Sequence, residues 1–74
     1  MSMRCVDSVL IENGGTKYVR ATIFADTTPA TMPTTGAGIF GLNADDHLFA
    51  DSVLYAEDSG DVYMLNGAGT WVKQ

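Results

Sequence analysis

The sequence has one cysteine, Cys5, and one histidine, His47. A single cysteine excludes a disulfide within one chain, and this pair is too small a set for a zinc cluster of Cys and His ligands. A chain of 74 residues buries only a little over half of its unfolded surface, so it is marginally stable on its own. Oligomerisation is the stabilising device that remains, and we expect a homo-oligomer.

Basic residues and long apolar runs are also scarce. Four Lys and Arg stand against nine Asp and Glu, a net charge of -5. Phosphate backbones attract the opposite sign, so we expect no nucleic-acid partner. No apolar run is longer than Val53–Ala56, four residues, and Val9–Ile11 is too short for the core of a signal peptide. We therefore expect a soluble protein with no membrane contact, synthesised in a cytoplasm.

Residues 3–25 predict a β-hairpin. The segment 13–15, Asn-Gly-Gly, supplies the positive-φ residues that tight hairpin turns require. Residues that favour strands flank it: Val6, Val9, Leu10 and Ile11 before the turn, and Tyr18, Val19, Thr22, Ile23 and Phe24 after it. Neither half alternates cleanly between apolar and polar residues, so the pattern does not fix which face is inward.

Residues 26–51 predict little regular structure. Five threonines and two prolines in residues 26–36 favour extended, polyproline-like backbone. Asn43 is placed to cap one short helical turn through Asp46. A connection this long is unusual inside a compact domain. We predict an arm that lies along a surface, anchored by its apolar residues Ile39, Phe40, Leu42, Leu48 and Phe49.

Residues 52–73 predict a three-stranded antiparallel meander. A type I turn that ends in a left-handed Gly60, with a bulge, makes Glu57 face Asp61. That register pairs Tyr55 with Tyr63 and Val53 with Leu65, and a second turn over residues 66–69 sets Leu65 opposite Trp71.

Both faces of the predicted meander are apolar. One face gathers the aromatic residues and two aliphatic neighbours: Tyr55, Tyr63, Trp71, Val53 and Leu65. The other face is aliphatic: Leu54, Ala56, Val62, Met64 and Val72. A solvated meander should alternate apolar with polar residues, and the rest of the chain is too short to cover both faces. We expect another chain to cover one of them.

Together these segments predict a single small domain, residues 1–74, of the all-β class. The expected architecture is a small antiparallel meander or barrel-like sheet of about five strands with a long extended central arm. Its parts are the hairpin (3–25), the arm (26–51) and the meander (52–73).

Two familiar motifs overlap in residues 31–41. Residues 36–41 spell G-x-G-x-x-G, but a dinucleotide site needs a strand running into the first glycine and a helix near the third. Pro33 and the flanking threonines precede it, and weak helix formers follow. Residues 32–36 resemble the L-P-x-T-G sortase signal, which needs a membrane span and a basic tail, whereas acidic sequence follows here. We expect neither a nucleotide cofactor nor wall anchoring.

The segment 43–51 is rich in potential oxygen and nitrogen ligands: Asn43, Asp45, Asp46, His47 and Asp51. A calcium loop needs Gly at position six and Glu at position twelve, and counting from Asn43 these are Leu48 and Leu54. We predict no metal site. Cys5 within a strand is typical of a small buried hydrophobe. A sheet this small leaves little room for a concave pocket, so we expect no enzyme and no small-molecule ligand.

Residues 31–74 resemble a recurrent segment of small structural proteins of tailed bacteriophages and prophages. In these, a strand ending in D-[ST]-G precedes a "VYML"-like strand, a glycine turn and a closing "TWV" strand. The matching residues are 58–60, 62–65 and 70–72. The preceding "MPTTGAGIFGLNADDHLFADS" is similar to "LPTTGAD…GLNDDD…APGS". It departs at Met32, at Ile39 and at residues 49–51, where the phage segments have a proline.

The resemblance implies a non-catalytic virion component, made in the cytoplasm of a bacterial host, that decorates a capsid or builds a fibre or collar. Its partners would be copies of itself, other virion proteins such as the capsid protein, or both. We predict two sets of interface residues: Tyr55, Tyr63, Leu65 and Trp71 on the sheet, and Ile39, Phe40, Leu42 and Phe49 on the arm.

Two other functions remain open. Trp71 with Tyr55 and Tyr63 is a candidate platform for stacking sugars, as in a carbohydrate-binding module at a fibre tip. The acidic composition also fits a small inhibitor that mimics nucleic acid or occupies the basic site of a host protein.

Overall fold

A computed structural model describes residues 2–74. Over this range the protein is all-β, which confirms the predicted fold class, and it forms one open sheet of seven strands. The strands are β1 (Met3–Asn13), β2 (Thr16–Ala25), β3 (Ile39–Phe40), β4 (His47–Leu48), β5 (Val53–Ala56), β6 (Asp61–Leu65) and β7 (Trp71–Lys73). The described residues contain no helix that is long and apolar enough to cross a membrane.

The sheet is mixed, with the order β3-β1-β2-β5-β6-β7. Strands β4 and β5 follow one another along β2, on the edge that β1 leaves free, and both run parallel to it. Tyr18 pairs with His47 near the start of β2, and Thr22 pairs with Val53 further along. The parallel pairs arise because the arm carries the chain from the end of β2 back to its beginning.

The β1–β2 hairpin closes at Gly14 and Gly15, whose φ angles of 61° and 85° are the positive values that a two-residue turn requires. A register shift between Cys5 and Asp7 leaves Val6 as a bulge. Four buried residues of β2 alternate with more exposed ones: Val19, Ala21, Ile23 and Ala25. They point to the inward side of the sheet, which we call the core face.

The predicted register of the β5–β6 hairpin is wrong by one residue. Tyr55 pairs with Val62, and Tyr63 pairs with Leu54. The turn contains four residues, 57–60, and is closed by the Gly60 N–H, which donates to the Ala56 carbonyl at 2.9 Å. A slip of one residue moves a side chain to the opposite face of the sheet.

The second turn brings Leu65 opposite Trp71, as predicted. The core face of β5–β7 therefore carries Leu54, Ala56, Tyr63, Leu65 and Trp71, all within or against the hydrophobic core. Tyr55 lies on the opposite side. The predicted aromatic face of Tyr55, Tyr63 and Trp71 does not exist.

The arm lies across the core face of its own sheet. Backbone bonds join the two halves of the arm: the Gly36 N–H donates to the Asp46 carbonyl at 2.9 Å, and the Leu48 N–H donates to the Thr34 carbonyl at 3.0 Å. Ile39 is buried at 3% exposure, and Met32, Leu42 and Leu48 also pack in or against the core. The arm thereby shields one side of the sheet without any partner chain.

The segment expected to form a helical turn forms a β-turn instead, in which the Asp46 N–H donates to the Asn43 carbonyl at 3.2 Å. The pairing of the neighbouring backbone with residues 34–36 explains this, because those hydrogen bonds hold the chain in an extended course.

Candidate functional site

The side of the sheet opposite the arm is the candidate functional site, and we call it the open face. Residues that pair side by side across strands point to the same face. Four rows of such residues define it: Phe40, Arg4, Phe24, Tyr55 and Val62; then Asp7, Thr22, Val53, Met64 and Val72; then Val9 and Arg20; and last Ile11, Tyr18 and His47. The first two rows run across five strands each.

Apolar side chains on the open face remain accessible to solvent. Tyr55 is 38% exposed, Met64 36%, Val72 44% and Val9 48%. Phe24, Val53 and Val62 between them are half-buried. Exposed apolar side chains gathered on one face make that face the candidate interaction site.

An aromatic pair lies near the centre of the open face. The rings of Phe24 and Tyr55 have centroids 5.0 Å apart with an interplanar angle of 32°. The Arg4 guanidinium lies 5.4 Å from the Phe24 ring centroid, a cation–π contact worth about 0.5–1 kcal/mol at an exposed site. Its charge is matched by Glu57 at 3.2 Å and Asp26 at 3.5 Å. The pair is therefore held in place, and its neighbouring charge is neutralised.

Ser52 keeps β5 aligned with β2. The chain turns between β4 and β5, and Asp51 adopts a φ of 73° there. The Ala21 N–H donates to Ser52 Oγ at 3.1 Å, and that hydroxyl donates to the Val19 carbonyl at 3.4 Å. The buried hydroxyl thus gives the Ala21 N–H an acceptor where the ladder is interrupted, and it adds a second donor to the Val19 carbonyl, which also accepts from the Phe49 N–H at 2.9 Å. Nothing in the sequence pattern distinguishes this serine from an exposed one.

The predicted interface residues fall into different environments. Tyr55 and Phe40, which is 83% exposed, lie on the open face. Leu65 and Ile39 are fully buried in the core, with Tyr63, Trp71 and Leu42 packed against it. Phe49 is half-buried and packs edge-on against Tyr18, with ring centroids 5.4 Å apart. Tyr18 alternates with buried Val19 and so lies on the open face, and Phe49 joins that face through it. The structure thus brings three of the eight residues onto the open face, and that face adds others that the predicted register had placed elsewhere or passed over.

The G-x-G-x-x-G segment serves the fold. The N–H groups of Gly36, Ile39 and Leu42 donate to backbone carbonyls of the same segment or its neighbour, so they do not converge on a ligand. Turns rather than a helix follow Gly41. A Cβ at Gly36 would collide with the backbone carbonyl of Asn43. Glycine is required here by close packing of the arm.

No group of three or more His, Cys, Asp or Glu side chains in residues 2–74 is arranged to hold a metal ion, and this part of the chain contains no pocket. One acid is tied into the fold: the pKa of Asp58 is lowered because its carboxylate accepts hydrogen bonds from the backbone N–H and then the hydroxyl of Thr28. This contact anchors the start of the arm to the β5–β6 turn.

Comparison with known proteins gives no relatives: no family model, curated protein or solved structure matches the chain.

Proposed function

We propose that this protein is a non-catalytic structural subunit of a phage particle, which acts by binding other virion chains through its open face. The observation that supports this most directly is the row Val53, Met64 and Val72, apolar residues on adjacent strands with no covering segment among the described residues. The resemblance of residues 31–74 to small structural proteins of tailed phages supports the same assignment.

The energy of covering this face supports an assembling role. Each 400 Å² of apolar surface removed from water contributes about 10 kcal/mol before the costs of association. A chain of 74 residues has a total stability of about 4–11 kcal/mol at the usual value per residue. Covering even part of the open face therefore changes the stability of the chain by an amount comparable to the whole.

The two other candidate functions have less support. The sugar platform needs Tyr55, Tyr63 and Trp71 on one face, and the register separates the first from the other two. The Trp71 indole N–H also donates to the Pro33 carbonyl at 2.6 Å, which holds the ring against the arm. An inhibitor that mimics nucleic acid needs an excess of unpaired acids on its docking surface. The open face has three acids, Asp7, Asp26 and Glu57, and the last two are paired with Arg4.

Particle composition tests the proposal. The tagged chain is expressed in the bacterium that carries its gene, phage particles are induced and purified on a density gradient, and the chain is quantified by mass spectrometry. We expect it in the particle band in a fixed ratio to the major capsid protein. Met64→Lys, which adds a charge to the open face, should reduce incorporation at least tenfold.

Ala68→Lys is the matched control, because it adds the same charge in the exposed β6–β7 turn. It should enter particles like the wild-type chain. Particles that lack the chain altogether would refute the proposal, as would incorporation of Met64→Lys at the wild-type level.

A further inference from the structure

We propose, building on the proposed function, that the occupant of the open face is a second copy of this chain, stacked face to face in an isologous pair with Asp7 of each copy against Arg20 of the other. Three properties of the face support a second copy: its area, its charge and its capacity to match itself.

The open face is large enough for a weak pair. The strands that form the sheet hold 37 residues, and at about 4.8 Å between strands and about 3.3 Å per residue they cover about 590 Å². Two such faces give about 1,200 Å² in total, the low end of the range for specific interfaces. A pair must therefore use the whole face, and we expect it to be weak.

The charge of the open face favours a second copy over a basic partner. The chain has a net charge of -5, yet its open face carries two arginines, Arg4 and Arg20, against Asp7 and the two acids that contact Arg4, Asp26 and Glu57. The net charge of the face is therefore only -1, so two copies can approach on this side with much less repulsion than the charge of the whole chain implies.

Arg20 and Asp7 provide the self-complementary contact. Both side chains are exposed, and neither is paired within 4.0 Å among the described residues. In an isologous interface each contact occurs twice, so a single pair of opposite charges serves both copies. An ion pair at the rim fixes the orientation of two apolar surfaces more than it adds affinity.

The two-fold axis that relates the two copies also brings their apolar residues together. From the strand spacing and rise, an axis that brings Asp7 over Arg20 of the other copy runs diagonally past Thr22 and between Val53 and Tyr55. It places Met64 over Tyr55 of the second copy. The strands of the two sheets then cross at roughly 70°, close to the orthogonal class of sheet packing. One orientation thus satisfies both the charges and the apolar patch.

Sedimentation equilibrium of the full chain, from about 1 to 300 μM, tests the inference. We expect a dimer that dissociates on dilution. Met64→Lys or Val72→Lys should raise the dissociation constant at least tenfold, and Ala68→Lys should leave it unchanged. Circular dichroism of each variant shows whether its monomer is folded. Two open-face variants are used so that the test still stands if one of them fails to fold.

Charge reversal tests the orientation. Asp7→Arg alone and Arg20→Asp alone should each weaken self-association, because each places like charges together twice. A mixture of the two variants should recover a heterodimer with an affinity within about threefold of wild type, since every contact then joins opposite charges. Failure of the mixture to recover would overturn the proposed pairing.

The results separate this inference from the proposed function. A wild-type chain that stays monomeric throughout the range overturns the second copy as occupant. If that monomer still enters phage particles through Met64, the proposed function stands and the occupant is another virion protein. A dimer that never appears in particles supports the pairing and refutes the phage assignment.

Discussion

The indole N–H of Trp71 donates to the carbonyl oxygen of Pro33 at 2.6 Å, and this bond joins the last strand to the arm. We expect Trp71→Phe to lower the free energy of unfolding by about 1 kcal/mol, because the ring remains but the Pro33 carbonyl loses its donor. Chemical denaturation followed by circular dichroism measures the change. Self-association of the folded variant should match wild type, since Trp71 packs on the core face. A large loss of association would show that Trp71 belongs to the interface.

Gly36 lies where a side chain has no room. We expect Gly36→Ala to destabilise the fold by about 2–3 kcal/mol, because the added Cβ meets the Asn43 backbone carbonyl, which cannot move without disturbing the turn at residues 43–46. Gly67→Ala is the matched control. A Cβ there has no atom within 4 Å, so its effect should stay within about 0.5 kcal/mol. Equal melting temperatures for the two variants would contradict the packing of the arm described above.

The buried hydroxyl of Ser52 accepts a hydrogen bond from the backbone of β2. Ser52→Ala leaves the buried Ala21 N–H without its acceptor, while the Val19 carbonyl keeps the Phe49 N–H, and we expect a loss of about 1–3 kcal/mol. Native-state hydrogen exchange should show faster exchange of the Ala21 amide. Ser8→Ala on the exposed part of β1 is the control and should leave both quantities unchanged. An Ala21 amide that keeps its protection would exclude the hydroxyl as its acceptor.

The all-β class followed from the sequence because strand-forming residues alternate with glycine turns at short intervals. The register of β5–β6 did not follow, because Glu57-Asp58-Ser59-Gly60 is compatible with a three-residue loop and a bulge or with a four-residue turn. Both end in a left-handed Gly60, and the φ of 74° observed there fits either. The choice between them is decided by packing, since only the observed register buries Leu54 and Leu65 together.

The route of the arm was equally hidden in the sequence. Ile39 and Phe40 are adjacent apolar residues, yet one is buried at 3% exposure and the other is 83% exposed. Their difference arises from pairing with β1, which turns Ile39 to the core with Met3 and Phe40 to the open face with Arg4. Long-range pairing of a two-residue strand leaves no periodic signal. The residues of the candidate site are therefore set by the strand register and by the course of the arm, and the sequence pattern shows neither.

Asp58 gives the protein a defined response to acid. Its pKa is lowered by hydrogen bonds from Thr28, so the carboxylate stabilises the fold at pH values above the ordinary aspartate range, and this contribution is lost as the pH falls through the lowered value. We expect Asp58→Asn to melt at a lower temperature than wild type at pH 6. This difference in melting temperature should shrink as the pH is taken below about 4.

Thr28→Val removes the hydroxyl donor and keeps the N–H, so its melting temperature should differ less from wild type and follow the same trend with pH. Melting curves recorded from pH 2 to 6 decide the matter, and a gap between wild type and Asp58→Asn that stays constant across this range would show that the carboxylate does not hold the arm.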